Sequence, residues 1–264
     1  MSDRGESLAR TSARVWFAAA AVGQGLFAAY ILAFYGRTGL AHDFARWSPP
    51  LTRGIVAGDP VNNAALVAHL ALAFLLLVCG PFQFLRPLRA RFPRLHRWNG
   101  RVYLSSALVV ATGGLYMLFV HGTLGDRWQH FCIALNAVLL IFCATQAWRR
   151  ARAREFAAHQ RWVMRTFLLV SGVWFFRVAF SFWIGIHDGA AVGFDFRTFS
   201  GPALTTISLA QSLVPLTVYE AYLWSLRSPA HLPRLAMSAL LAAFTLAMMY
   251  GSFRAFVMLW LPRF

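Results

Sequence analysis

Four histidines, His69, His96, His130 and His159, sit on four successive apolar segments of the chain. If those segments run up and down through a membrane as helices, His69 and His130 fall toward one face. His96 and His159 then fall toward the other. Two neutral imidazoles facing each other at equal depth are an axial ligand set for a b-type haem. The layout predicts two haem b groups, one held by His69 and His130 and one by His96 and His159, forming a path for electrons across the bilayer.

The elements that must position these residues follow from composition. The chain has 264 residues, 59% hydrophobic and 13% charged, with mean hydropathy +0.55. A soluble chain of this length could not bury that much apolar surface. Seven apolar runs approach the roughly 20 residues that a bilayer demands: about 15–36, 62–85, 102–120, 128–148, 166–186, 203–225 and 235–261. No loop is long enough for a separate soluble domain. The expected fold is all-α, a polytopic membrane helix bundle with seven transmembrane helices. It forms a single integral membrane domain over 1–264. Helices two to five, about 62–187, make a four-helix histidine-bearing core, with helices one, six and seven peripheral.

The formal charge of +16 comes from arginine alone, since lysine does not occur. Arg86, Arg89, Arg91, Arg94, Arg97 and Arg101 crowd the link between the second and third runs. Arg149, Arg150, Arg152, Arg154, Arg161 and Arg165 crowd the link between the fourth and fifth, and Arg4, Arg10 and Arg14 precede the first. The opposite loops carry only Arg37, Arg46 and Arg53, then Arg127, Arg197 and Arg263. This is the positive-inside bias, so the N-terminus is expected in and the C-terminus out. The same placement assigns the charge to a bacterial cytoplasmic membrane and its lipids, and argues against nucleic acid despite a pI near 11.4. The first run reads as a retained helix rather than a signal peptide, because no small-residue cleavage site follows it. Cys79, Cys132 and Cys143 lie in apolar runs without any CxxC spacing and read as small buried hydrophobes.

The histidine helices read as two copies of one hairpin. His69 is followed by Gln83, an arginine-rich link, His96-Arg97-Trp98 and Arg101; His130 is followed by Gln146, a second such link, His159-Gln160-Arg161-Trp162 and Arg165. Thirteen residues separate glutamine from histidine in both. His69 precedes Arg86 by 17 residues and His130 precedes Arg149 by 19. Both therefore lie about 25–29 Å from the inner edge, level within about a turn. The His96 face also carries Gly100, Tyr103, Ala107 and Gly114; small residues recur beside His69 and His130 too. Such residues make room for a flat macrocycle, or they let helices pack closely; the sequence leaves both readings open.

Each residue singled out has a plainer explanation. His96 and His159 stand among arginines, where an imidazole can simply be solvated; His69 and His130 lie within spans, where ionisable groups are expensive and suggest function. Arg97, Arg101 and Arg165 could hold haem propionates through paired hydrogen bonds, or serve topology and anionic lipid. Arg177 follows His159 by 18 residues, five turns of one straight helix, and should face the same interior near the outer level. A charge there calls for a partner, such as an outer propionate, a substrate carboxylate or a quinone oxygen.

His69…Gly80-Pro81-Phe82-Gln83-Phe84, His96-Arg97-Trp98-Asn99-Gly100-Arg101-Val102-Tyr103 and His159-Gln160-Arg161-Trp162-Val163-Met164-Arg165 resemble a bacterial family of multi-pass membrane proteins. That family is named domain of unknown function 2306, and the resemblance covers roughly residues 60–185. It implies membrane location and no settled activity. The histidine layout is also similar to the cytochrome b-561 superfamily, whose four-helix core holds two b haems. That similarity implies ligands paired between alternate core helices, His69 with His130 and His96 with His159.

Three functions remain. The first is an inner-membrane b-type cytochrome, a transmembrane oxidoreductase in the loose sense, passing electrons from an unidentified donor to an unidentified acceptor such as quinone or a small reductant. The second is a non-redox transporter or lipid-binding protein, for which Gln24, Arg177, Glu220 and Arg254 would line a polar path. Gln211 and Pro215 would interrupt its sixth span. The third is a structural membrane subunit. No Ser/His/Asp order, phosphate loop or HExxH motif points to a hydrolase or nucleotide enzyme.

Overall fold

The computed structural model describes residues 2–47 and 54–263, with side chains from residue 5. Arg53 and the Arg4 side chain, counted above in the charge pattern, lie outside the described residues. The long helices are α1 (Ser2–Tyr30), α3 (Pro60–Phe82), α5 (Pro93–Val120), α6 (Arg127–Arg152), α9 (Pro202–Arg227) and α10 (Leu232–Ala255). Two 15-residue helices, α7 (Phe156–Val170) and α8 (Gly172–Ile186), meet at a bend of 50°. Short helices α2 (Arg37–Leu40) and α4 (Arg86–Arg91) lie in links, and a π-helical stretch, Ile31–Gly36, continues α1.

The helix starts are written locally. Proline opens α3, α5 and α9, where its missing N–H costs nothing. The Asp59 carboxylate accepts from Asn62 N at 3.1 Å and caps α3. Asp126 and Gln129 form a reciprocal capping box on α6. It follows Gly125, whose φ of +103° suits glycine.

Contacts at the two ends give the course of the chain. Gly5 lies beside His231 at the start of α10, while Trp260, after its end, stacks on Phe27 and Tyr30. α10 therefore runs parallel to α1. Gly185, near the end of α8, abuts Tyr250 and Arg254 late in α10. α9 must then run back along the bundle to reach the start of α10. The end holding the N-terminus is called the inner end below.

Five helical stretches are long and apolar enough to cross a membrane: Gly5–Leu40, Pro60–Phe82, Pro93–Val120, Arg127–Arg152 and Leu232–Arg263. The bent α7–α8 pair makes a sixth if taken as one span. The expected count of seven needs α9 as well. α9 has 26 residues, about 39 Å of helix. Its sequence carries Thr205, Thr206, Ser208, Gln211, Ser212, Thr217 and Glu220, which dilute its apolarity. Its buried face is polar, with Ser208, Gln211 and Ser212 all enclosed.

The expectation of one straight fifth helix is corrected by the bend. Its cause is a knot of hydrogen bonds at Ser171. Ser171 Oγ donates to Phe167 O at 2.7 Å, and Gln24 Nε2 of α1 donates to Ser171 Oγ at 2.9 Å. Asn136 Nδ2 of α6 donates to Leu169 O at 3.4 Å, and Ser212 Oγ of α9 donates to Asn136 Oδ1 at 2.8 Å. A Cβ on Gly172 would come within 3.1 Å of Asn136 Oδ1, so glycine permits the approach. In lipid, backbone groups freed by a bend must find such partners.

Candidate functional site

His96 and His159 are each the fourth residue of their helices, α5 and α7, and both stand at the inner end. His159 and His96 lie within electrostatic reach of one another. His159 Nδ1 lies 2.9 Å from Ala147 O, near the end of α6. A carbonyl only accepts, so Nδ1 carries the proton and Nε2 keeps a free lone pair. His96 Nδ1 is buried without a partner.

The His96 face of α5 looks into the region where α3 and α7 meet. Gly100 lies beside Gln83 Oε1, and Asn99 Nδ2 donates to Cys79 O at 3.2 Å. Tyr103 is 1% exposed, and its ring lies with that of Phe167 against Gly80. The family-like segments around Gly80, His96 and Tyr103 are thus packed on one another. Two further polar atoms in this region, Gln83 Nε2 and Tyr103 OH, are buried without partners. A buried orphan donor costs about 1–3 kcal/mol; others occur at the far end, His69 Nδ1 and His121 Nε2 among them.

The outer pair is arranged differently. His69 meets Gly114 of α5 and has a buried, unpartnered Nδ1. His130 stands in the first turn of α6, with Nε2 3.1 Å from Thr123 O. That bond fixes the proton on Nε2 and ties the ring to the α5–α6 loop. Counting from that loop, Gly114 lies six residues inside α5 and His130 three inside α6. The outer histidines differ in depth by about one turn, roughly 4–5 Å.

The small residues near the histidines are used for close packing. Ala107, Ala111, Ala137, Ala144 and Ala147 are buried with Leu76, Tyr103, Leu140 and Cys143 in one core cluster. Cys132 and Cys143 are buried and all three cysteines are free.

The arginines divide. Arg97 is exposed within electrostatic reach of His96, and Arg101 covers the Trp98 ring at 5.1 Å. Arg165 is taken up elsewhere: Nε and Nη2 both reach Glu220 Oε1 at 2.7 Å, joining α7 to α9. Arg177 lies 5.0 Å over the Phe27 ring, donates to Val173 O at 3.3 Å and is within electrostatic reach of His69. It is on α8, beyond the bend, so the five-turn argument linking it to the His159 face does not hold. Its nearness to His69 comes from the packing of α8 instead. Arg254 lies against Gly185. Of the residues proposed for a polar path, Gln24 is held in the Ser171 knot and Glu220 by Arg165.

Among the described residues no three His, Cys, Asp or Glu side chains gather around one point. The inner end carries two imidazoles, those of His96 and His159. The Asn136–Ser171–Ser212 knot escaped sequence reasoning, although an amide inside the Leu135-Asn136-Ala137 run and the Ser171-Gly172 pair inside a span were its signals.

An all-helical chain with several apolar helices of bilayer length is a multi-pass membrane protein. The family described as Predicted membrane protein (DUF2306) matches it over residues 66–194. The match takes in all four histidines and the Ser171 bend and leaves out α1, α9 and α10. No curated protein and no solved structure matches the chain.

Proposed function

We propose that this protein binds one b-type haem at its inner end, through His96 and His159, and carries electrons at the cytoplasmic face of a bacterial inner membrane. The observation that carries the reading is the His159–Ala147 hydrogen bond, at the same end of the bundle as His96. A histidine ligand typically donates its second ring N–H to a carbonyl or carboxylate, which fixes the tautomer and aims the free nitrogen. His96, with its own orphaned Nδ1, is the second ligand. Tyr103 OH and Gln83 Nε2 are donors that would tune the site, and Arg89 and Arg97 are cations within electrostatic reach of His96 for a propionate. Haem supplies a one-electron couple; the chain supplies ligation, burial and hydrogen bonds. The outer pair is left out of this reading because the Thr123 bond takes up Nε2 of His130 and leaves only Nδ1, the nitrogen crowded by its own backbone.

Absorbance of the detergent-purified protein, oxidised and dithionite-reduced, tests the proposal. A low-spin b-type Soret and α band is expected, since two imidazoles give strong-field ligation. A colourless preparation from haem-replete cells would overturn it. Sidedness rests on arginine placement: an alkaline phosphatase fused at the C-terminus should be active and one fused within 149–154 silent. The reverse pattern would put the histidine pair on the other face.

A further inference from the structure

A cavity of about 790 Å³ opens among α1, α7, α8, α9 and α10, away from every histidine discussed above. Small-molecule sites typically span about 300–1,000 Å³ and are mostly apolar with a few polar groups. The walls here fit that pattern: Phe17, Phe175, Phe182, Val214 and Phe244 are apolar, and Gln211 is the amide among them. The cationic groups gather at the inner end, where Arg10 and Arg14 of α1 and Arg86 of α4 line it. Nearby acids are already spoken for, Glu6 by Arg10 at 2.6 Å and Glu220 by Arg165. Arg14 and Arg86 have no acidic partner among the described residues. Tyr222, also on the wall, lies within electrostatic reach of Arg14. An apolar chamber with two unneutralised cations at its rim is complementary to one molecular type, an anionic head with an apolar tail.

We infer that this cavity is a binding site for one anionic phospholipid of the inner leaflet. Its phosphate sits between Arg14 and Arg86 and an acyl chain enters the chamber toward Gln211. The cavity is partly open rather than enclosed, so a lipid can enter it. Guanidinium is the group suited to a phosphate, because it can give two parallel hydrogen bonds.

Native mass spectrometry of the full chain, released from a non-ionic detergent with added lipid, tests this directly. Phosphatidylglycerol should be retained at one per chain in preference to phosphatidylcholine of the same chains. Each of Arg14→Gln and Arg86→Gln should weaken retention about fivefold, as expected for a basic group facing an anionic lipid. Ala247→Trp, which fills the chamber, should remove the bound lipid; should that variant not fold, the two glutamine variants, at exposed positions, decide alone. Equal retention of both lipids, or unchanged retention in the glutamine variants, would overturn the site. Retention of added oleate with no phosphatidylglycerol would overturn the phospholipid assignment in favour of a free carboxylate.

Discussion

At the inner end of the histidine helices, one imidazole uses its near nitrogen on the Ala147 carbonyl and keeps the far one free. At the outer end the use is inverted: His130 spends its far nitrogen on the Thr123 carbonyl and is held to a loop. The same residue type, placed near the end of a helix in both cases, keeps its far nitrogen free in one place and spends it on a loop in the other. Helix register gives depth within about a turn. Which carbonyl lies beside the ring decides which nitrogen stays free, and that depends on how the neighbouring helix ends.

The sharpest way to break this contrast is to remove histidines one at a time. His159→Ala or His96→Ala should abolish the low-spin haem spectrum, whereas His130→Ala should leave it intact. Loss of the spectrum in His130→Ala would show that the outer end carries iron and that the Thr123 bond is exchanged on binding.

Next in size is the knot between the two ends. Asn136→Leu removes the donor to Leu169 O and the acceptor for Ser212. Interhelical hydrogen bonds in membranes average about 0.6 kcal/mol and reach about 1.7, so a loss of about 1–2 kcal/mol is expected. A thermal unfolding midpoint equal to wild type would mean that the knot contributes nothing.

Tyr103→Phe deletes a buried hydroxyl with no protein partner. If that hydroxyl serves the inner site, redox titration should show a moved midpoint potential with haem content kept. An unmoved potential would mean that Tyr103 serves packing against Gly80 alone.

The smallest effect belongs to Arg165→Gln. It breaks the pair with Glu220, a partly exposed bond of the order of 1 kcal/mol or less. Haem content should not change, because Arg165 is committed to α9. Loss of haem would return Arg165 to the inner site.

Apolar runs and arginine placement made the membrane class and most helices legible, because lipid leaves so few alternatives. The placing of His96 and His159 at the same end of the bundle was legible from the apolar runs that follow each of them. The bend at Ser171 was hidden because Phe167–Ile186 reads as one apolar run, and only long-range partners at Gln24 and Asn136 reveal the break. The fate of Arg165 was hidden for a similar reason, since Glu220 stands 55 residues away on a helix whose polar face resembles a loop in composition. The close packing of the alanine faces was one of two open readings, and it is the partner helices that decide it.

The Ser171 knot also has a direction in time. Gln24 and Asn136 both precede Ser171 in the chain, and Ser212 follows it. Membrane chains are made N-terminus first, so both amides are already in place when their partners, the Ser171 hydroxyl and the Leu169 carbonyl, enter the bilayer. α9 arrives last, and its Ser212 hydroxyl closes on the one acceptor still open, Asn136 Oδ1. A chain halted after α8 would hold its bend but keep that oxygen without a donor, marking it as unfinished until the next helix is inserted.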